Sequence, residues 1–266
     1  MQEADGEVAS RVQHAVEVRP SGSMLYKDKA ACLYNTDQTA VYIDMQPTLT
    51  IDFVGARDVD VVADIGPNLF RASVLFSASA RGRKLPAIVA FAGKPNGLAH
   101  REVRSHKTDV VAIVQRHAYT DERVMMEWID EVWRPDLGEC RYLLLDSLKV
   151  HKMDAVATQL AESNTEVDFI PPGLTGVWQP IDVAENLHSL YMQHHIDFPT
   201  PATASDRRRL IVELVAQAWD AVPAHTINNR FVKCKLLPIG PRDANGIFRV
   251  VAPITDAPAL LGVQGE

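Results

Sequence analysis

The first half of the chain has the apolar and polar pattern of β-strands. Two apolar stretches, residues 71–79 and 85–91, flank the turn residues Arg81-Gly82-Arg83 and predict a β-hairpin. Further upstream, residues 31–43 predict extended structure around a polar centre, Asn35-Thr36-Asp37-Gln38. Strands are therefore expected to come first along the chain.

The second half alternates between strand and helix patterns. Apolar residues at helical spacing predict a helix over residues 120–133, with Thr120 as its cap. Two more strands and three more helices are predicted: strands at residues 141–146 and 167–170, and helices at residues 152–163, 181–196 and 207–222. A hairpin followed by alternating strands and helices predicts an α/β fold with a mixed sheet.

The composition is that of a globular protein, and it excludes several classes. The chain has 266 residues, of which 47% are hydrophobic and 23% are charged, which allows one large or two small domains. The longest nearly apolar stretch, residues 85–93, is far shorter than the about 18 residues of a membrane-spanning helix. The three cysteines are isolated, which disfavours a disulfide framework or a cysteine zinc site. The sequence contains neither a GxxxxGK[ST] phosphate loop nor a GxSxG nucleophile elbow.

Three aspartates occupy similar places, each at a strand end or in the loop beyond it: Asp37, Asp146 and Asp182. If the strands that carry Asp37 and Asp146 are neighbours, their carboxylates converge. Such a cluster is costly because like charges repel, and a divalent cation removes that cost. Two ions about 3.5–4 Å apart would catalyse phosphoryl transfer, because they activate a water or a 3′-hydroxyl and stabilise the leaving oxygen. The alternative is that these aspartates form turns and cap helices, which is a common role.

The residues around these aspartates resemble the three acidic motifs of DDE transposases. The similar passages are residues 34–39, residues 143–147 with His151, and residues 170–183. The resemblance is to the pogo/Tigger/jerky branch of the mariner-like superfamily, which includes centromere-protein-B-like domesticated transposases. It covers residues 32–236, and the intervals of 109 and 36 residues between the aspartates suit the family.

The resemblance implies an RNase H-like mixed β-sheet flanked by helices and DNA strand cleavage followed by joining. It assigns Asp37, Asp146 and Asp182 to catalysis and to binding of Mg²⁺ or Mn²⁺, with two ions. It also implies a homodimer and a nuclear location. One departure from the family is Ser147, which stands where the family often has Asn.

The net charge of -7 argues against binding of nucleic acid through bulk charge, but phosphate contacts need only local basic clusters. Arg81, Arg83 and Lys84 lie at the predicted hairpin turn, and Lys94 follows soon after. We expect these residues to contact DNA. The alternative is a solvated surface with some ion pairs. His151 is expected either to contact a phosphate or to cap the following helix.

These observations predict three segments: an N-terminal tail or remnant linker over residues 1–28, an RNase H-like DDE catalytic domain over 29–240, and a C-terminal tail over 241–266. The first 20 residues are interpreted as a tail or as the end of a helix whose partner is missing. Family members usually carry helix-turn-helix modules before the first motif, and only about 30 residues precede it in this sequence.

The predicted function is that of a DDE transposase-like endonuclease. The first alternative is an inactive, domesticated or truncated copy that acts as a nucleic-acid-binding or protein-binding module. The second is a cellular nuclease of the same fold with a different substrate.

Overall fold

The computed structural model describes residues 2–17, 29–42, 71–105, 108–136, 141–174, 179–181, 183–199, 201–244 and 248–250. The strands are β1 (Leu33–Tyr42), β2 (Arg71–Ser79), β3 (Ile88–Ala92), β4 (Val111–Gln115), β5 (Arg141–Asp146) and β6 (Thr165–Ile170). The α-helices are α1 (Gln2–Glu17), α2 (Lys29–Cys32), α3 (Leu98–Ser105), α4 (Glu122–Trp128), α5 (Asp154–Glu162), α6 (Ala184–Asp197), α7 (Ala204–Asp220) and α8 (Ala224–Lys233). None of the described helices is long and apolar enough to span a membrane.

The six described strands form one mixed sheet in the order β4-β3-β2-β1-β5-β6. β2 pairs antiparallel with both β1 and β3, which confirms the predicted hairpin. The other three neighbouring pairs, β3 with β4, β1 with β5 and β5 with β6, are parallel. Five strands therefore end on the same side of the sheet, which we call its carboxyl end. The turn between β2 and β3 lies at the opposite end.

Apolar clusters cover both faces of the sheet. Leu33, Val41 and Leu144 face a cluster that includes residues of α1, α7 and α8. Tyr34 and Leu143 face a second cluster, which contains residues of α4 and α5. Successive side chains of a strand point to opposite faces, so strands buried on both faces consist of nearly continuous apolar residues. The expected α/β fold with a mixed sheet is confirmed.

The N-terminal residues form a helix that packs against the core. Val8 and Val12 of α1 are buried in the same apolar cluster as the sheet. The Arg11 Nε donates to Asp168 Oδ2 on β6 over 2.7 Å, and the Tyr142 hydroxyl donates to the same oxygen over 2.9 Å. Burial, and then the nearby Asp168 charge, raise the pKa of Tyr142 above its usual range. Residues 2–17 are therefore neither a tail nor a helix without a partner.

Several predicted elements need correction. β1 is one unbroken strand, because the residues of its polar centre pair with β2 from Asn35 opposite Ala78 to Gln38 opposite Leu75. The cap of α4 is Asp121 rather than Thr120, since the Asp121 side chain accepts the Val124 amide. Beyond Trp128 the helix continues as a π-helical turn. Four described helices or strands were not predicted: α2, α3, β4 and α8. Residues 31 and 32, which were expected to be extended, belong to α2.

Candidate active site

Two of the three predicted site aspartates lie on neighbouring strands. Asp146 ends β5 as predicted, whereas Asp37 lies in the middle of β1 rather than at a strand end or in a loop. The parallel pairing of β1 with β5 includes Asn35 opposite Leu144. Two residues further along each strand, the next positions on the same face are Asp37 and Asp146. Neighbouring strands lie about 4.8 Å apart, so the two carboxylates are placed at the same level beside each other. The described structure thus confirms that the strands carrying Asp37 and Asp146 are neighbours, while their role as a metal site stays a prediction.

The orientation of Asp146 is fixed by groups that follow it in the chain. Its Oδ1 accepts the backbone amide of Leu148 over 3.1 Å. The same oxygen lies 2.6 Å from Nδ1 of His151. The side chain of Asp146 is 15% exposed, and none of the hydrogen bonds among the described residues goes to its Oδ2. One carboxylate oxygen is therefore held, and the other is available to a ligand.

His151 does not lie at the surface. The residue is 3% exposed, and its Nδ1 faces the Asp146 carboxylate. The predictions that His151 contacts a phosphate or caps a helix are corrected, because the residue is buried and its ring contacts Asp146 instead. The ring belongs to a 3₁₀ turn, Lys149–Lys152, which returns the chain to the end of β5. Its position fits a group that orients the carboxylate.

Asp37 contacts the segment that leads to α6. The side-chain amide of Gln179 donates to Oδ1 of Asp37. The Ile181 amide donates to Asn35 Oδ1 over 3.3 Å, and Ile181 is 2% exposed. The segment that contains Gln179 and Ile181 is therefore held against β1. Asp182, the third predicted ligand, lies outside the described residues.

Ser147, which departs from the family pattern, links the ends of β5 and β6 through a hydrogen bond. Its hydroxyl donates to the carbonyl of Ile170, the last residue of β6, over 2.6 Å. The chain then turns at Gly173, which has a φ of 82°, a left-handed value that favours glycine. Ser147 thus supports the position of β6 rather than the Asp146 carboxylate.

Lys84 has a structural role instead of the predicted DNA contact. Its ammonium donates to the carbonyls of Trp219, Asp220 and Val222 over 2.8, 3.2 and 3.2 Å. These carbonyls lie at the C-terminal end of α7, where the helix dipole attracts a cation. The donors of the Lys84 ammonium are engaged within the fold. The predicted phosphate contact is therefore corrected, and Lys84 caps a helix.

The other predicted basic contacts lie at different ends of the sheet. Arg81 and Arg83 are exposed at the turn between β2 and β3, opposite the carboxyl end. They therefore do not lie beside Asp37 and Asp146. Lys94 is exposed just beyond β3, at the carboxyl end itself. Of Arg81, Arg83, Lys84 and Lys94, Lys94 is the one that lies beyond the carboxyl end of a strand.

A groove of about 880 Å³ opens near the carboxyl end. Its lining includes Gln38, which follows Asp37, and Leu148 and Lys149, which follow Asp146. Tyr119 is 54% exposed on its wall, with the Arg71 guanidinium 3.9 Å from the ring centroid. The groove therefore combines aromatic, apolar, cationic and acidic groups, and its described lining contains neither Asp37 nor Asp146.

The two described carboxylates suit a hard divalent cation. Mg²⁺ and Mn²⁺ bind oxygen ligands, and Mg²⁺ usually keeps several waters, so one or two carboxylates suffice. Asp37 and Asp146 lie on adjacent strands and provide such donors; Gln179 contacts the first carboxylate and His151 the second. Among the residues that the structure describes, no group of three or more His, Cys, Asp or Glu side chains could hold a metal ion. The donor set in the described part is thus a carboxylate pair.

Sequence reasoning missed two polar residues of this site, Asn35 and Gln179. Asn35 is 0% exposed although it belongs to the polar centre of β1. A buried amide requires hydrogen-bond partners, so its position two residues before Asp37 was the signal available in the sequence. Gln179 offered no comparable signal.

Comparison with known proteins places this arrangement in a family. Residues 71–231 match the model of the DDE superfamily endonuclease, a range that includes Asp146 and Asp182 and begins after Asp37. The human pogo transposable element with KRAB domain is 25% identical over 230 residues, which cover 78% of this chain and 36% of that protein. The human Jerky protein homolog is 24% identical over 220 residues, which cover 76% of this chain and 36% of that protein. The chain thus spans about a third of the length of these relatives.

A solved structure supports the fold. The Mos1 mariner paired end complex with Mn matches with a TM-score of 0.50 and 9% identity, over 88% of this chain and 60% of that chain. The expected RNase H-like architecture agrees with this likeness and with the order of the six strands. The family match covers more than half of the chain, and the curated relatives come from the pogo and jerky groups that the motifs indicated. The chain belongs to the DDE superfamily endonucleases.

Proposed function

We propose that this chain is a transposase-like catalytic domain that cuts DNA strands and joins them with the help of divalent metal ions. The observation that carries the proposal is the placement of Asp37 and Asp146 at the same level of adjacent parallel strands. Each carboxylate is oriented by a side chain from another segment, Gln179 or His151. Such preorganised carboxylates are typical of phosphoryl transfer.

In this mechanism, the chain's own residues hold the reacting groups in place. His151 donates to Oδ1 of Asp146, which leaves Oδ2 to bind a metal ion. Gln179 donates to Oδ1 of Asp37 and orients that carboxylate. Bound Mg²⁺ or Mn²⁺ supplies activation of a water or a 3′-hydroxyl and stabilisation of the leaving oxygen. Asp182 is proposed as the third ligand, and two ions are proposed for the complete site.

DNA is proposed as the substrate. The matched structure is named as a paired end complex, and the curated relatives are named after a transposable element and Jerky. Lys94 and the groove beside Asp146 supply cationic, aromatic and apolar groups at the carboxyl end. Such groups bind phosphates and unpaired bases. We further propose that the protein works in the nucleus, as a homodimer.

Nicking of supercoiled plasmid tests this function. Wild type is expected to nick the plasmid with Mg²⁺ or Mn²⁺ and to be inactive with EDTA. Asp146→Asn removes a charge from the site and is expected to lower the rate at least 100-fold, because a metal ligand is lost. The matched control is Asp109→Asn at an exposed position just before β4, at the opposite end of the sheet, and it should nick like wild type.

Two results would contradict the proposal. If Asp146→Asn nicks as fast as wild type, the activity does not come from this site. If neither protein nicks although both bind the plasmid, the chain acts as a binding module, which is the first alternative from the sequence.

A further inference from the structure

Asn35 is a polar side chain in a place where burial makes it costly. The residue is 0% exposed in β1 and lies on the same face as Asp37, two positions further along the strand. An amide that is removed from water without partners costs several kcal/mol in an apolar medium. The contacts of the Asn35 side chain therefore decide what it does.

Both ends of the Asn35 amide are used, and each reaches a different part of the chain. The Nδ2 donates to the carbonyl of Leu144 on β5 over 3.0 Å. The Oδ1 accepts the backbone amide of Ile181 over 3.3 Å. One side chain thus links β1, which carries Asp37, to β5, which carries Asp146, and to the segment before α6.

We propose that Asn35 is a positioning residue that fixes the segment of residues 179–181 against the seam between β1 and β5, and that it thereby sets the geometry of the metal site. This inference rests on the proposed function. Ile181 is held by Asn35, and two residues earlier Gln179 contacts Asp37. A shift of Ile181 along β1 would therefore pull Gln179 away from the Asp37 carboxylate. In the sequence, Asp182 directly follows Ile181.

The position of Asn35 explains why a side chain is needed at this point. Regular parallel pairing of β1 with β5 ends at Asn35 opposite Leu144. The segment before α6 is not a strand, so its amides cannot extend the ladder. A side-chain amide, which carries both a donor and an acceptor, can join the carbonyl on one side to the amide on the other.

The neighbouring Thr36 provides a matched control. Its hydroxyl lies 2.9 Å from the Ser77 hydroxyl on β2, and it is 3% exposed. Thr36 is on the same strand, but its side chain points to the opposite face from Asn35. Thr36→Val therefore removes a buried polar contact of β1 without touching β5 or the segment of residues 179–181.

Two measurements test the inference without relying on DNA cleavage. The first is hydrogen exchange of the Ile181 amide, and the second is the dissociation constant for Mn²⁺, measured by electron paramagnetic resonance. In Asn35→Ala, the Ile181 amide should exchange at least about 10-fold faster, and Mn²⁺ should bind about 10-fold more weakly, as after the loss of other groups that orient ligands. Thr36→Val should leave both values unchanged.

A second variant covers the case in which Asn35→Ala does not fold. Asn35→Asp keeps an acceptor for the Ile181 amide and loses the donor to Leu144. The Ile181 amide in Asn35→Asp should therefore stay protected. Fast exchange of this amide in folded Asn35→Asp would overturn the inference.

The remaining outcomes separate this inference from the proposed function. Unchanged Ile181 exchange or unchanged Mn²⁺ affinity in Asn35→Ala overturns the positioning role, while nicking by wild type keeps the proposed function in place. If wild type binds Mn²⁺ and Asn35→Ala has both expected effects, but wild type does not nick DNA, the proposed function fails and the role of Asn35 stands.

Discussion

Replacement of Lys84 by methionine separates a structural role of this residue from a DNA contact. The Lys84 ammonium caps the end of α7 through three carbonyls and lies 5.5 Å from the centroid of the Trp219 ring. Methionine keeps an unbranched apolar stem of similar length, so the substitution removes mainly the charged head group. The expected result is a less stable protein whose affinity for DNA is unchanged.

The size of the effect follows from the contacts of Lys84. A cation at a helix C-terminus contributes about 0.3–1 kcal/mol, and up to about 2 kcal/mol when it is partly buried. The cation–π contact adds about 0.5 kcal/mol, the low end of its range because Lys84 is half-exposed. We therefore expect Lys84→Met to lower the free energy of unfolding by about 2 kcal/mol. For a chain of this size, that corresponds to a fall in Tm of about 4–8 °C.

Thermal unfolding and salt-dependent DNA binding together test this expectation, with Lys94→Met as the matched control. Lys94 is exposed at the carboxyl end, so Lys94→Met should change the free energy of unfolding by less than about 0.5 kcal/mol. It should also lower the slope of log K against log salt by about 1, because one phosphate contact is lost. The reasoning would be refuted if Lys84→Met unfolded like wild type and reduced the salt slope.

Two further predictions concern buried contacts. His151→Leu removes the donor to Asp146, so the Mn²⁺ concentration for half-maximal nicking should rise about 10–100-fold, while a normal value would contradict the orienting role. Tyr142→Phe should destabilise the protein by about 1–2 kcal/mol at pH 7, measured by urea unfolding. The pKa of Tyr142 is raised in the folded protein, so above about pH 10 the tyrosine ionises in the unfolded chain first. The stability difference between wild type and Tyr142→Phe should therefore be constant below about pH 10 and shrink above it. A stability difference that stays constant above about pH 10 would contradict the raised pKa.

The parts of the fold that the sequence predicted depend on local patterns. The hairpin follows from two apolar runs around a turn that contains Gly82, whose φ of 83° suits glycine. The apolar run of β5 ends at Asp146, so the sequence also placed that aspartate correctly at a strand end. α3 and β4 were missed because they are short, and α3 has a single buried residue, Val103.

The parts that were missed depend on contacts between distant residues. Lys84 and its partner Trp219 in α7 are 135 positions apart in the sequence, and Asn35 and Ile181 are 146 positions apart. No local pattern indicates such partners, so Lys84 was assigned to DNA by its charge alone. The burial of His151 likewise follows from a 3₁₀ turn that folds back on Asp146, which residue spacing did not indicate.

Iron-mediated cleavage of the chain tests the central proposal, that Asp37 and Asp146 form one divalent-metal site. Fe²⁺ bound in place of Mg²⁺, with ascorbate and peroxide, generates hydroxyl radicals that cut the backbone close to the ion. We predict cuts near residue 37 and near residue 146, both suppressed by excess Mg²⁺ and both lost in Asp146→Asn. Cuts near residue 37 that persist in Asp146→Asn would contradict a shared site.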